Sequence, residues 1–171
     1  MDAAVADEVV FAGDRLLVSN TNLDPVTYVP GPGFITVIDP TAEGGPRVVN
    51  RIPTTQPNPQ RLVVHGEDVF VVNTGTTDYS DFSMPRGSGP GGVDLLPVGG
   101  LDTATGAARN LEIGPAADPR YAGPVDLTFI GDLSNPYYTV AAVMAMTVAD
   151  GYVSVATGAE RPVNLVEIPL G

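Results

Sequence analysis

His65 is the single histidine of a 171-residue chain that has no cysteine. It is the first residue to weigh for chemistry. A histidine titrates near neutral pH and serves as general base or metal ligand, and a Ser-His-Asp triad in this chain would need this one. Its position argues against such a role. The stretch from Val9 to Asn22 aligns without a gap to the stretch from Leu62 to Gly75, which sets Ala12 opposite His65. A weaker third copy, Met146 to Gly158, puts Ala149 at the same place. A position that Ala fills in sister copies reads as a surface turn residue, and no residue is assigned a catalytic role. The absence of cysteine removes thiolate catalysis, disulfides, iron–sulfur clusters and cysteine-ligated zinc together.

The most distinctive stretch outside the repeat is Asp78-Tyr79-Ser80-Asp81-Phe82-Ser83, followed by Arg86 and a glycine-rich run to Gly92. Asp78 and Asp81, with backbone carbonyls, offer hard oxygen ligands to Ca²⁺, yet the run lacks the alternating acidic spacing and the closing Glu of a calcium loop. The expectation is therefore a partner-contacting loop carrying Asp78, Tyr79, Asp81 and Arg86, with no cofactor. Gly87, Gly89 and Gly92 match a dinucleotide fingerprint in form, but no helix follows them. Asn20 and Asn73 stand at matched positions near the ends of second strands. They either bind a polar ligand or satisfy the backbone of the next turn. Tyr28, Tyr79, Tyr121, Tyr137 and Tyr138 lie in loops or strand starts, where an exposed Tyr suits an interface.

The elements that must position these residues are short strands. Apolar runs at 8–12 and 16–19 flank Gly13-Asp14 as a hairpin. Phe34 to Ile38 and Arg47 to Ile52 supply a third and a fourth strand. The second copy repeats the plan with a hairpin at 62–73, a strand within 93–101 and another at 109–113. Asp39 matches Asp102 at the turn after the third strand, but at a larger offset than Val9 to Leu62, which places extra residues in the second copy's loop within 76–92. A strand-like pair, Val125 to Ile130 and Tyr137 to Val143, precedes the third hairpin and belongs either to an insertion or to a degenerate unit of its own. A repeat of roughly 40 to 50 residues built from four short strands is the signature of stacked propeller blades. The chain reads as one all-β domain, 1–171, with a first blade at about 8–53 and a second at about 61–114. A degenerate third blade, or a third and a fourth, covers about 121–171. No helix is expected.

Composition supports that reading. The chain holds 20 Gly and 17 Pro with 43% hydrophobic residues, which suits many tight turns between buried strands. Eight basic residues, all Arg, stand against 20 acidic ones, for a net charge of -12. Scattered arginines on so acidic a chain repel phosphate backbones and anionic membrane surfaces, so nucleic-acid binding is not expected. No apolar run is long enough to span a bilayer as a helix.

The tetrads Leu17-Val18-Ser19-Asn20 and Phe70-Val71-Val72-Asn73 each follow a Gly-acid turn and precede a strand ending in Ile/Leu-Asp. In this they resemble the YVTN-type β-propeller repeat. The resemblance covers residues 8–114 well and 145–168 loosely. It implies an extracytoplasmic location, periplasmic or cell-surface, although no signal peptide is visible at the N-terminus. Propellers of this family commonly close with seven blades, or roughly 300 residues at about 45 per blade. Three to four blades imply an incomplete propeller, or one completed by another subunit. The function so implied is non-enzymatic association with a protein partner or with itself through inter-strand loops. The alternative is a part of a propeller enzyme of the lactonase, lyase or quinoprotein kind whose site other blades complete.

Overall fold

Two glycines set the first two hairpins. Gly13 and Gly66 take φ of 61° and 60°, the left-handed first position that a two-residue hairpin connection of type II′ needs and that a Cβ would disfavour. Ala12 pairs with Arg15 across the first and His65 with Asp68 across the second. The computed structural model describes residues 3–24, 26–27, 29–78, 86–87, 91–111, 123–130, 140–145 and 165–169.

Those residues are all-β apart from one 3-10 turn, Val98–Gly100. The strands are β1 (Ala3–Ala12), β2 (Arg15–Leu23), β3 (Phe34–Asp39), β4 (Arg47–Pro53), β5 (Pro59–His65), β6 (Asp68–Asn73), β7 (Thr77–Asp78), β8 (Arg86–Gly87), β9 (Gly92–Pro97), β10 (Arg109–Leu111), β11 (Pro124–Ile130), β12 (Val140–Ala145) and β13 (Leu165–Pro169). They form a first sheet in the order β1-β2-β3-β4 and a second in the order β5-β6-β9-β10. A third sheet runs β11-β12-β13, and β7-β8 is a separate two-stranded ribbon inside the connection from β6 to β9. Every pairing is antiparallel.

The four strands expected of each of the first two units are present in that order. β1 begins earlier than the apolar pattern indicates, at Ala3, and β2 runs past Asn20 to Leu23. The strand-like pair near 125–143 forms β11 and β12. The outer strand expected at 163–168 pairs with β12 as β13, so both belong to one sheet. The third hairpin read at 146–158 lies outside the described residues.

Alternation of side chains builds the core between sheets. On one side Ala12, Leu17, Ile35, Val37 and Ile52 of the first sheet pack against Leu62, Val69, Val71, Leu96 and Leu101 of the second. On the other side Phe70, Val72, Val93 and Leu111 pack with Leu127 of β11. The second sheet is thus buried on both faces, which is why Val69 to Val72 within β6 is a continuous apolar run and not an alternating one. His65, expected at the surface, is half-buried at the end of β5, and its counterpart Ala12 is fully buried in the core. Ala fits that position in the first sheet because it faces the second sheet rather than water.

The first strand of each sheet carries a bulge at the same place. Register slips between Ala6 and Val9 in β1, between Pro59 and Arg61 in β5, and between Pro124 and Asp126 in β11. In β1 the interrupted ladder is repaired by a side chain: Glu8 N donates to the buried Ser19 Oγ at 3.0 Å. A bulge re-aims the residue beside it, and here it turns Glu8, Arg61 and Asp126 towards one another. β1 lies along β5, and β5 along β11.

Candidate functional site

The polar candidates lie where β2 and β6 end and the connections to β3, β5 and β9 begin. Asn20 is buried. Its Nδ2 donates to Val18 O at 2.8 Å, to Thr36 Oγ1 at 2.9 Å and to Phe34 O at 3.4 Å. Asn73, its counterpart, is wholly buried, and its Nδ2 donates to Asp94 Oδ2 at 2.9 Å. Thr36 and Asp94 lie two residues along β3 and β9 from the register partners Phe34 and Gly92, so the two amides hold the same strand pair in both sheets. The structure therefore engages Asn20 and Asn73 inside the sheets. Asn73 Oδ1 is buried with no hydrogen-bond partner among the described residues.

Asp94 was not legible as a site residue. Its carboxylate is 1% exposed, a burial that hydrogen bonds must offset. They come from Thr55 N at 2.8 Å, Thr55 Oγ1, Asn73 Nδ2, and Asn110 Nδ2 at 2.9 Å. Thr55 belongs to the linker from β4 to β5, so Asp94 ties that linker to the second sheet. Thr21 Oγ1 and Thr74 Oγ1, again at matched positions, reach the start of the next sheet: Thr21 donates to Asn58 Oδ1 at 2.8 Å and Thr74 to Pro124 O at 2.8 Å.

Asp78 and Arg86 are direct register partners in the β7–β8 ribbon. The structure thus brings together two of the residues singled out in the long loop. Tyr79 and Asp81 lie outside the described residues. Among the described residues no three His, Asp or Glu side chains gather as a metal site requires, and no helix is long and apolar enough to cross a membrane.

Charge is organised on the first strands and at the turns. Arg61 Nη1 lies 2.7 Å from Glu8 Oε1 and Arg61 Nε 3.0 Å from Asp126 Oδ1. Leu62 N donates to the other Glu8 oxygen. The three residues occupy the same place beside the bulge in β1, β5 and β11. At the far end of the sheets Arg15 forms a two-pronged pair with Asp102, Nε to Oδ1 and Nη2 to Oδ2, both at 2.7 Å. That pairing holds the Asp102 carboxyl below the usual carboxylate range and Arg15 above its ordinary value. Asp39 and Asp24 are also held low, Asp39 mainly by the amide of Thr41 and Asp24 by the amides of Thr27 and Val26. An open cleft of ≈ 480 Å³ lies at this turn end, lined by Gly13, Val64, Glu67, Asp68 and Val98 among others.

No family model, no characterised protein and no solved structure matches the chain.

Proposed function

We propose that the chain is a segment of a β-propeller of the YVTN type, working outside the cytoplasm as a non-catalytic module for protein association. The stacking of meander sheets with β1, β5 and β11 side by side supports the architecture, since blades around an axis stand in that relation. The repeat tetrads support the family and, through it, the location.

The observation that carries the association reading is the connection between β6 and β9. It is the long insertion of the second sheet, it is anchored at both ends in buried strands, and it folds its own ribbon with Asp78 opposite Arg86. A loop held on a rigid scaffold is where binding residues concentrate. The polar groups at its root, Asn73 and Asp94, are engaged within the second sheet and serve as its base. A photo-crosslinking amino acid at position 78, introduced in the native host, yields a discrete protein adduct, and one at Glu43 in the β3–β4 turn does not. Equal labelling from both positions, or none from position 78, removes the reading.

A further inference from the structure

Thr21 and Thr74 hold matched places near the ends of the second strands, and each hydroxyl faces two acceptor oxygens. Thr21 Oγ1 lies 2.8 Å from Asn58 Oδ1 and 2.5 Å from Asp7 Oδ2. Thr74 Oγ1 lies 2.8 Å from Pro124 O and 2.9 Å from Gln60 Oε1. A hydroxyl has one proton to donate, so in each set one of the two contacts is left without one. At Thr74 the neighbouring side chain can supply it, because Gln60 turned about its amide presents N–H donors at the same place. Asp7 stands where the second sheet has Gln60, and a carboxylate offers lone pairs only. With the Thr21 proton on Asn58, the contact between Asp7 Oδ2 and Thr21 Oγ1 has no positive group of its own. Asp7 joins no ion pair among the described residues.

The elements around this contact suit a cation. The register slip between Ala6 and Val9 takes Asp7 and Glu8 out of the ladder. Glu8 turns to Arg61, and Asp7 is left exposed against Thr21. Thr21 and Asn58 are each 5% exposed. Thr21 is fixed in β2 opposite Val5, and the Asn58 carbonyl accepts from Thr74 N at 2.9 Å. Two of the three oxygens are thus set by the sheets before any ligand arrives. Asn58 keeps φ of 62° where Gly123 stands ahead of Pro124 in the next sheet. Glycine would take that conformation without penalty, so what the position gains from Asn is its side-chain amide. A carboxylate, a hydroxyl and an amide carbonyl are hard oxygen donors of the kind Ca²⁺ takes, at about 2.3–2.6 Å and often in a pentagonal plane. Neighbouring ligands in such a plane are about 2.8 Å apart, close to the two separations at Thr21 Oγ1.

We propose that Asp7, Thr21 and Asn58 form a Ca²⁺ site at the junction of the first and second sheets, with waters on the exposed Asp7 side completing the shell. The ion supplies the positive charge that the Asp7–Thr21 contact lacks, and it ties β1, β2 and the linker into β5 together. One carboxylate among neutral ligands sets a weak affinity, with Kd of about 10⁻⁴–10⁻³ M. Mg²⁺ demands a near-ideal octahedron and dehydrates reluctantly, so oxygens this closely spaced hold it less well. The matched set in the second sheet has Gln60 for Asp7 and Gly123 for Asn58. It offers no charged ligand and takes no ion. The site depends on this junction alone and not on how many sheets complete the stack.

Calorimetric titration with CaCl₂ after EDTA treatment tests this, in about 0.15 M NaCl to screen diffuse attraction to the net charge of -12. One Ca²⁺ binds per chain, the melting temperature rises as the site fills, and MgCl₂ binds at least about tenfold more weakly. Asp7→Gln, which writes the second sheet's residue into the first, weakens Ca²⁺ binding at least about tenfold, with the far-UV circular dichroism of the sheets retained. Asn58→Gly, which keeps the backbone conformation, weakens it about threefold or more. Glu43→Gln, at an exposed carboxylate in the β3–β4 turn, leaves it unchanged. No saturable binding up to about 10 mM CaCl₂ overturns the proposal. That is the result expected if the Asn58 amide is turned so that its nitrogen donates to Thr21, whose own proton then goes to Asp7. Binding retained in Asp7→Gln, or lost equally in Glu43→Gln, overturns it as well, because the ion then sits elsewhere.

Discussion

Thr21 Oγ1 donates to Asn58 Oδ1 across 2.8 Å, joining the second strand of one sheet to the residue that opens the next. Asn58 has φ of 62°, and Gly123, at the matched place before Pro124, has φ of 70°. Asn tolerates this left-handed conformation better than other residues with a Cβ, and Gly meets no penalty. Asn58→Gly therefore loses only the hydrogen bond, about 1 kcal/mol. Asn58→Ala adds backbone strain of about 1–2 kcal/mol. Urea unfolding should rank the three proteins wild type, Gly, Ala in falling stability. An Ala variant as stable as the Gly variant would remove the conformational argument.

The contact of Gly33 with Pro59 leaves no room for a side chain. A Cβ on Gly33 would stand 2.3 Å from Pro59 Cδ, and one on Gly91 2.3 Å from Pro124 Cδ. Neither neighbour is the flexible tip of a long side chain, so the sheets must separate. Gly33→Ala and Gly91→Ala are each expected to cost about 1–3 kcal/mol. Gly106→Ala, in a turn with open space around it, is the control for thermal melting. Equal melting temperatures for Gly33→Ala and Gly106→Ala would sink this prediction.

Arg61 stands between Glu8 and Asp126 at the solvent edge of β5. Its side chain and that of Asp126 are about half exposed, so each ion pair contributes less than about 1 kcal/mol. Arg61→Ala should therefore be mild. Arg61→Glu places three carboxylates together and should destabilise more, with the excess shrinking in about 0.5 M NaCl as the charges are screened. Chemical denaturation at two ionic strengths checks it. A Glu variant with a deficit independent of salt would mean that the arginine acts through packing instead.

Acid should loosen the turn end of the sheets first. Asp102 and Asp39, at that end, are held below the ordinary carboxylate value of about 3.9, as is Asp24 beyond the opposite end of β2. A group depressed in the folded state contributes stability that is present above its unfolded value and is lost as pH falls through the folded one. The urea midpoint should hold from neutral pH to about 5 and decline below about 4. Asp102→Asn, which ends the pairing with Arg15, should flatten part of that decline. Midpoint curves for wild type and variant that stay parallel down to about pH 2 would contradict the assignment.

The hairpins at Val9 and Leu62 were readable because Gly13 and Gly66 close them in two residues, leaving the alternation of β1–β2 and β5–β6 unbroken. The start of the third sheet was harder. The segment Asp126 to Asp132 matches Glu8 to Asp14, down to the Gly-Asp pair, but Ile130 pairs with Val140 across a longer connection. The hairpin signature is therefore stretched. Asp94, Thr55 and Asn110 gave no local signal either. Each is an ordinary polar residue in its own segment, and only the fold brings the three to one carboxylate. Asn20 and Asn73 stood out in the repeat, but burial depends on how the next linker crosses them.

The recurrent left-handed residue before proline, seated against the glycine that precedes a third strand, has an evolutionary consequence. A sheet carrying these parts brings its own coupling with it, so gene duplication or recombination can add or remove whole sheets without redesigning their neighbours. Change in the length of such a chain then comes in units of one sheet and one linker.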